Sequence, residues 1–117
     1  MSLLNGEIHQ KLWGEERWII NSEKYCGKIL SLKKGYRCSL HYHKLKDEVF
    51  YVMSGKVFME VGDFAKILYP GDAVHVVPLN LHRFSGIEDA TIFECSSTHF
   101  EEDSYRKEPS GEIPPLF

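Results

Sequence analysis

The sequence has few cysteines, and they form no pattern that suggests disulfide pairing. Cys26, Cys38 and Cys95 are three in number and show no paired spacing. A disulfide-stabilised secreted domain is therefore not indicated, and reduced thiols in the cytoplasm are the simplest interpretation. We expect Cys38 and Cys95 to be small buried side chains of the core.

Long apolar runs and a strong charge of one sign are also missing. No segment has the length of apolar sequence that a transmembrane helix needs, and residues 1–10 lack the apolar centre of a signal peptide. The formal net charge of −3 gives no reason to expect a nucleic acid or an anionic membrane as a partner. The sequence therefore indicates neither a nucleic-acid nor a membrane partner.

Helical periodicity is weak throughout, whereas short segments typical of β-strands recur between glycine- and proline-containing turns. Many short strands at regular spacing predict a sandwich or a closed barrel. The predicted strands are 18–20, 25–32, 49–53, 56–61, 65–68, 73–77, 82–85 and 90–96, with a further strand around His41.

The length and mixed composition predict one globular domain over residues 1–117. Within it we expect an N-terminal strand or arm over 1–24, a core over 25–97 and a C-terminal tail over 98–117. In the tail, one helical turn is predicted near 101–107, followed by irregular chain.

Polar side chains with metal-binding chemistry are concentrated between Gly35 and Gly55. His41 and His43 are two residues apart, so on a strand both imidazoles point to the same face. Glu48 follows a short polar turn and begins the next predicted strand, where it can face the two histidines. Two neutral imidazoles and a carboxylate suit a divalent transition metal.

The spacing of these two glycines, two histidines and Glu48 resembles the first signature motif of the cupin superfamily. Gly71, Asp72, Pro78 and His82 resemble the second. The resemblance implies an all-β double-stranded β-helix, which is a small jelly-roll barrel. It also implies one divalent ion, such as Zn, Mn, Fe or Ni. The ligands that it implies are His41, His43, Glu48 and His82.

A narrower resemblance extends over nearly the whole chain, to the cupin domain of type II mannose-6-phosphate isomerases. It implies a sugar or sugar-phosphate isomerase or epimerase that acts on a small polyhydroxylated substrate, with Glu94 as the base and Arg106 as an anchor for phosphate or sugar oxygens. The residues that carry it are Trp13, Gly14, His82, Arg83, Phe84, Ile92, Phe93, Glu94, the acidic residues 101–103, and Arg106.

Several of these residues have simpler interpretations. Glu94 can instead be a rim carboxylate paired with Arg83, and Arg106 can be a solvated arginine of the tail. Phe50 and Phe84 share strand parity with Glu48 and His82, so they line the pocket or belong to the core. The histidines outside the motifs carry less signal: His75 is expected to face outward, and His9 and His99 indicate no site.

Two other functions are compatible with the same residues. Three histidines and a glutamate also suit Fe(II) with open positions for substrate and O2, as in an Fe(II)-dependent cupin dioxygenase. A barrel that binds a small carbohydrate without turnover would be a sensor. For each of these functions the expected partner is a small molecule, and the expected assembly is a homodimer through the first strands.

Overall fold

Regular structure in the described part of the chain, residues 1–115, consists of thirteen β-strands and one short 3-10 turn at Glu101–Asp103 in this computed structural model. No α-helix occurs among these residues, and so none is available that could cross a lipid bilayer. The strands are β1 (Glu7–Lys11), β2 (Gly14–Asn21), β3 (Cys26–Leu32), β4 (Tyr36–Arg37), β5 (Leu40–Tyr42), β6 (Glu48–Ser54), β7 (Val57–Val61), β8 (Phe64–Leu68), β9 (Ala73–Val76), β10 (His82–Gly86), β11 (Ala90–Ser96), β12 (Tyr105–Glu108) and β13 (Gly111–Glu112).

The strands form two antiparallel sheets. The first has six strands in the order β1-β2-β3-β11-β6-β9. The second has seven and contains the path β12-β5-β10-β4-β13, with β7 also paired to β10 and β8 paired to β7. Neighbours in the sheets are mostly far apart in the chain, which is typical of a jelly roll. The prediction of an all-β jelly-roll barrel is confirmed.

The core lies between the sheets because strand residues alternate between an inner and an outer face. In β6, Phe50 and Val52 are buried, while Tyr51 and Met53 are exposed. The other strands contribute in the same way, so that both sheets supply the core. Its members are Trp13, Leu30, Leu32, Cys38, Phe50, Val52, Val57, Met59, Leu68, Val76, Phe84, Ala90 and Ile92.

The turn between β6 and β7 depends on Gly55. This residue has a φ angle of +82°, in the left-handed region that glycine adopts without strain. A Cβ atom there would lie 2.1 Å from the backbone oxygen of Asp89. The glycine that ends the first motif is therefore required by the close approach of another chain segment.

The prediction for the tail is wrong in most of its length. The 3-10 turn falls within the predicted helical turn, but extended chain follows it: β12 pairs with β5, and β13 pairs with β4. Edge strands have unpaired backbone groups, and the tail satisfies those of β5 and β4. The rings of Tyr105 and Tyr42 add a stacked contact, with centroids 5.1 Å apart. Leu116 and Phe117, the end of the predicted tail, lie outside the described residues.

The prediction for Cys95 is also wrong, whereas Cys38 is buried as expected. Strand β11 turns Glu94 inward, and the next side chain along a strand must then point outward. Cys95 is accordingly exposed. At the start of the chain, residues 1–6 form no strand, and the first strand begins at Glu7.

Candidate metal centre and its pocket

Three histidine side chains converge between neighbouring strands. Strand β5 lies between β10 and β12, and His41 is directly opposite His82 in the register. His43 follows β5 immediately. One ring nitrogen from each imidazole lies within 4.8 Å of those of the other two, a separation that one metal ion can bridge.

The hydrogen bonds of the three rings determine which nitrogen faces the common point. The Nδ1 atoms of His41, His43 and His82 lie 2.8, 2.9 and 2.9 Å from backbone carbonyl oxygens. A carbonyl only accepts, so each Nδ1 carries the proton and donates it, which leaves the lone pair on Nε2. Metal-binding histidines are commonly oriented in this way by a backbone acceptor.

Burial favours the neutral form of His41 and His43. It lowers the pKa of His41 well below the usual value of 6.5, and the neighbouring His82 and His43 lower it further. Burial also lowers the pKa of His43, against the opposing effect of Glu48. Both imidazoles are therefore neutral at neutral pH, as metal coordination requires.

Glu48, at the start of β6, is the fourth residue of the candidate donor set and lies beside two of the three histidines. Its Oε2 atom lies 3.3 Å from Nε2 of His43 and 3.2 Å from Nε2 of His82. Within residues 1–115, neither Oε2 of Glu48 nor Nε2 of His82 has a hydrogen-bond partner, although both are fully buried. Unsatisfied buried polar atoms are rare and require an explanation. A cation bound between them satisfies both, so these residues fit a divalent metal.

The loop that follows His43 is organised by Asp103, from the 3-10 turn of the tail. This carboxylate is 3% exposed and accepts hydrogen bonds of 2.8 to 3.2 Å from the backbone N–H groups of Lys44, Leu45 and Lys46. The backbone oxygen of the same residue accepts the Nδ1 proton of His43. Asp103 thus fixes the orientation of the His43 imidazole and of the loop that follows it.

Beside the three histidines the barrel encloses a cavity of about 110 Å³. That volume holds several water molecules or one small organic molecule. Phe50 and Phe84 line it, in the core positions expected from their parity, with ring centroids 5.8 Å apart. Trp13 and Leu30 extend this apolar wall.

The lining of the cavity also contains a buried ion pair between Lys46 and Glu94. The Nζ and Oε2 atoms are 2.6 Å apart, and both residues are nearly inaccessible to solvent. Burial alone would raise the pKa of Glu94, but the ammonium groups of Lys46 and Lys28 outweigh it and hold that pKa at about 2. Burial opposes the charge of Lys46 in turn, yet Glu94 and Glu48 raise its pKa. Both groups are charged at neutral pH.

A family model described as the cupin domain matches residues 28–95, more than half of the chain. The protein is a cupin. The family resemblance seen in the two motifs is thereby confirmed. No match was found among curated protein sequences.

Solved structures agree on the fold of this cupin. A structure of KdgF from Halomonas sp. has a TM-score of 0.70 at 19% identity and covers 75% of this chain and 81% of its own. An RmlC-like cupin from Shewanella frigidimarina has a TM-score of 0.76 at 20% identity, and the match covers 84% of this chain and 88% of the Shewanella chain. Oxalate decarboxylase from Bacillus subtilis has a TM-score of 0.78 at 19% identity. The match covers 92% of this chain but only 33% of the decarboxylase chain. At these identities the likeness concerns the fold alone.

The alternative pairing of Glu94 with Arg83 is wrong for this cupin. Arg83 donates from Nε to the carbonyl oxygen of Cys38 at 3.0 Å and from Nη1 to Glu108 at 2.9 Å. Glu94 lines the pocket as expected for the predicted base. Its ion pair with Lys46 has no signal in the sequence, because the two residues lie on segments that only the folded barrel brings together.

Arg106 is at the rim of the pocket. Its side chain is 52% exposed, and its Nη2 atom lies 3.6 Å from Oε1 of Glu101. This position is compatible with a substrate anchor and with a solvated arginine, so both interpretations stay predictions. His75 is exposed, as expected, and pairs with Asp47.

His99 is a pocket residue that the sequence analysis missed. Its Nδ1 lies 3.2 Å from Nζ of Lys46, and its Nε2 lies 3.0 Å from Oε2 of Glu101. No motif includes it, and its isolated position in the sequence gives no signal of a site. Burial and the ammonium groups of Lys28 and Lys46 lower its pKa, so it accepts from Lys46 as a neutral ring.

Asp103→Asn should weaken metal binding about tenfold and lower the free energy of unfolding by about 2 kcal/mol. An amide offers one acceptor oxygen, and its NH2 group opposes backbone N–H groups that the carboxylate now accepts. The measurements are competitive metal titration and urea unfolding. Asp63→Asn is the control, since Asp63 is exposed in the turn before β8. Unchanged metal affinity in the Asp103 variant would remove this residue from the support of the site.

Proposed function

We propose that this cupin is a metal-dependent sugar or sugar-phosphate isomerase or epimerase that acts on a small polyhydroxylated substrate. The observation that carries the proposal is the juxtaposition, in one small cavity, of the donor set with the charged pair of Lys46 and Glu94. Lys46 Nζ contacts both sides, at 3.5 Å from Oε1 of Glu48 and 2.6 Å from Oε2 of Glu94. Substrate bound near the donor set therefore lies within reach of acid–base groups.

A divalent ion held by His41, His43, Glu48 and His82 would supply Lewis acidity to a substrate oxygen. Zn, Mn, Fe and Ni all suit this donor set. The remaining chemistry of an isomerase is the transfer of a proton between adjacent carbons, which needs a base near the substrate carbon.

Glu94 is the proposed base. It is ionised, which is the form that accepts a proton, but its low pKa in the ion pair makes it a weak base. A substrate hydroxyl that takes the ammonium of Lys46 as its hydrogen-bond donor would release Glu94 from the pair and raise its basicity. The arrangement thus couples substrate binding to activation of the base. Arg106 is proposed to contact the exposed end of the substrate.

An Fe(II)-dependent dioxygenase is the second candidate. It is favoured by the donor set together with the apolar wall of Phe50, Phe84 and Trp13, which suits an apolar or aromatic substrate portion. A sensor would use the same pocket without turnover. For each function we infer a homodimer with no nucleic-acid or membrane partner.

The isomerase proposal predicts deuterium wash-in from D2O at the carbon next to the carbonyl of a substrate sugar. Aldoses, ketoses and their phosphates are incubated with metal-loaded protein and analysed by NMR. Wash-in should require metal and fall at least about a hundredfold in Glu94→Gln, because the amide cannot accept the proton. Glu88→Gln, which removes an exposed carboxylate at a surface ion pair, should leave the rate unchanged.

The same assay separates the other functions. If the protein takes up O2 with an apolar or aromatic acid and incorporates no deuterium into any sugar, the dioxygenase function is favoured over the isomerase function. A sugar that raises the melting temperature without wash-in or O2 uptake would indicate a sensor.

A further inference from the structure

We propose that Lys28 binds a carboxylate group of the substrate, and that the substrate is consequently a small sugar acid. This inference rests on the proposed function, because it concerns the same pocket. It assigns a role to a charged residue that belongs neither to the donor set nor to the acid–base pair.

Lys28 is a buried cation on β3 that is incompletely paired among residues 1–115. The residue is 2% exposed and lines the pocket. Its Nζ atom lies 3.6 Å from Oε1 of Glu16, which is longer than a hydrogen bond. It also lies 4.2 Å from the centroid of the Trp18 ring. An ammonium group has three donors, and buried charges are normally hydrogen-bonded as well as paired.

The other buried lysine of the pocket differs in this respect. Lys46 is surrounded by acceptors, with Glu94 at 2.6 Å, His99 at 3.2 Å and Glu48 at 3.5 Å. Two of these acceptors, on Glu94 and His99, are within hydrogen-bonding distance of Lys46, whereas Lys28 has none so close in the described part of the chain. Lys28 is therefore the ammonium group whose hydrogen-bonding capacity is left for a ligand.

The charge of the pocket also favours an anion. Its basic and acidic side chains are equal in number. A divalent metal ion then leaves an excess of positive charge, which an anionic substrate reduces. The four basic residues are Lys11, Lys28, Lys46 and Arg106, and the four acidic residues are Glu16, Glu48, Glu94 and Glu101.

A carboxylate fits this position better than a phosphate. The cavity has a volume of about 110 Å³, and Lys28 lies among its buried residues rather than at its rim. A carboxylate is planar and carries a single charge, which one ammonium group can neutralise. A phosphate dianion is bulkier and loses more hydration energy on burial.

The test compares the binding of glucose, glucuronate and glucose 6-phosphate to metal-loaded protein by isothermal titration calorimetry. Glucuronate should bind about ten- to a hundredfold more tightly than glucose, as expected for a charge-assisted hydrogen bond. Lys28→Met should abolish this preference, whereas Lys28→Arg should retain most of it. Lys66→Met, at an exposed lysine of β8, is the control that should change nothing.

A second variant tests the assignment in the opposite direction. Glu16 accepts a 2.8 Å hydrogen bond from Nε1 of Trp18 through the atom that pairs with Lys28. Glu16→Gln retains an oxygen for that hydrogen bond but removes the charge that competes for Lys28. Glucuronate should then bind more tightly. Circular dichroism and metal analysis of each variant establish that the fold and the metal content are retained.

Equal affinity for glucose and glucuronate would overturn the proposal, and so would a preference for glucuronate that survives in Lys28→Met. Tighter, Lys28-dependent binding of glucose 6-phosphate would overturn the assignment to a carboxylate. These outcomes can be distinguished from outcomes that contradict the proposed isomerase function. Lys28-dependent binding of glucuronate without deuterium wash-in supports the carboxylate site and contradicts the isomerase proposal. Wash-in with neutral sugars, together with equal affinity for glucose and glucuronate, does the reverse.

Discussion

His82→Ala should be purified with almost no metal, whereas the native protein purified without chelator should contain close to one divalent ion per chain. His82 is 0% exposed, and its Nε2 atom has no other partner among residues 1–115. Altering residues that merely support a ligand lowers metal affinity about 10- to 100-fold, so removal of a ligand should cost at least about a hundredfold. Plasma mass spectrometry and competitive titration measure content and affinity.

The control for this prediction is His75→Ala. His75 is exposed and its Nε2 lies 2.7 Å from Asp47, away from the three clustered histidines. Its replacement should leave the metal content unchanged. Glu48→Gln should weaken binding by removing the anionic ligand. Full metal content in both His41→Ala and His82→Ala would show that the ligand set is wrong.

Glu94→Gln should lower the free energy of unfolding by about 3 kcal/mol at pH 7. The pKa of Glu94 is lowered from 4.5 to about 2 in the folded protein. A carboxylate with a lowered pKa stabilises the fold above the unfolded pKa, and this stability is lost as the pH falls through the folded pKa. The difference between native protein and variant should thus be largest above pH 4.5 and shrink toward pH 2.

Urea unfolding at several pH values, with chelator in all samples, measures that difference without a contribution from metal. The matched control is Glu88→Gln, which breaks the exposed pair of Lys56 and Glu88 at 3.3 Å. Exposed pairs contribute at most about 1 kcal/mol. A difference that does not depend on pH would show that Glu94 acts through packing rather than through its charge.

The convergence of His41 and His43 could be predicted because its signal is local. A strand places every second residue on one face, so the spacing of His41 and His43 is informative without knowledge of the fold. Glu48 begins the next strand after a short turn. The prediction of His82 depended on the second motif. His82 pairs with His41 across two strands that are distant in the sequence, and residue spacing alone does not predict this pairing.

The surroundings of the ligands could not be predicted for the same reason. Asp103 and His99 reach the site through segments far from the motifs. In the sequence Lys28 is an ordinary residue of a predicted strand. The alternation of a strand predicts which face a side chain lies on, but not which residues from other strands surround it. The tail strand β12, with the sequence Tyr-Arg-Lys-Glu, lacks the apolar alternation that marks a strand. Its extended form comes from pairing with β5, which is a tertiary effect.

The contact between Asp103 and His43 has a consequence for biosynthesis. The two residues are 60 positions apart, so His43 leaves the ribosome well before the carboxylate and the carbonyl oxygen that orient it. A nascent chain that has already exposed His41, His43 and Glu48 still lacks the support of their loop. We therefore expect the ion to be acquired after translation of the tail, by a folded chain. Truncated translation products should remain in the apo form and be removed by proteases.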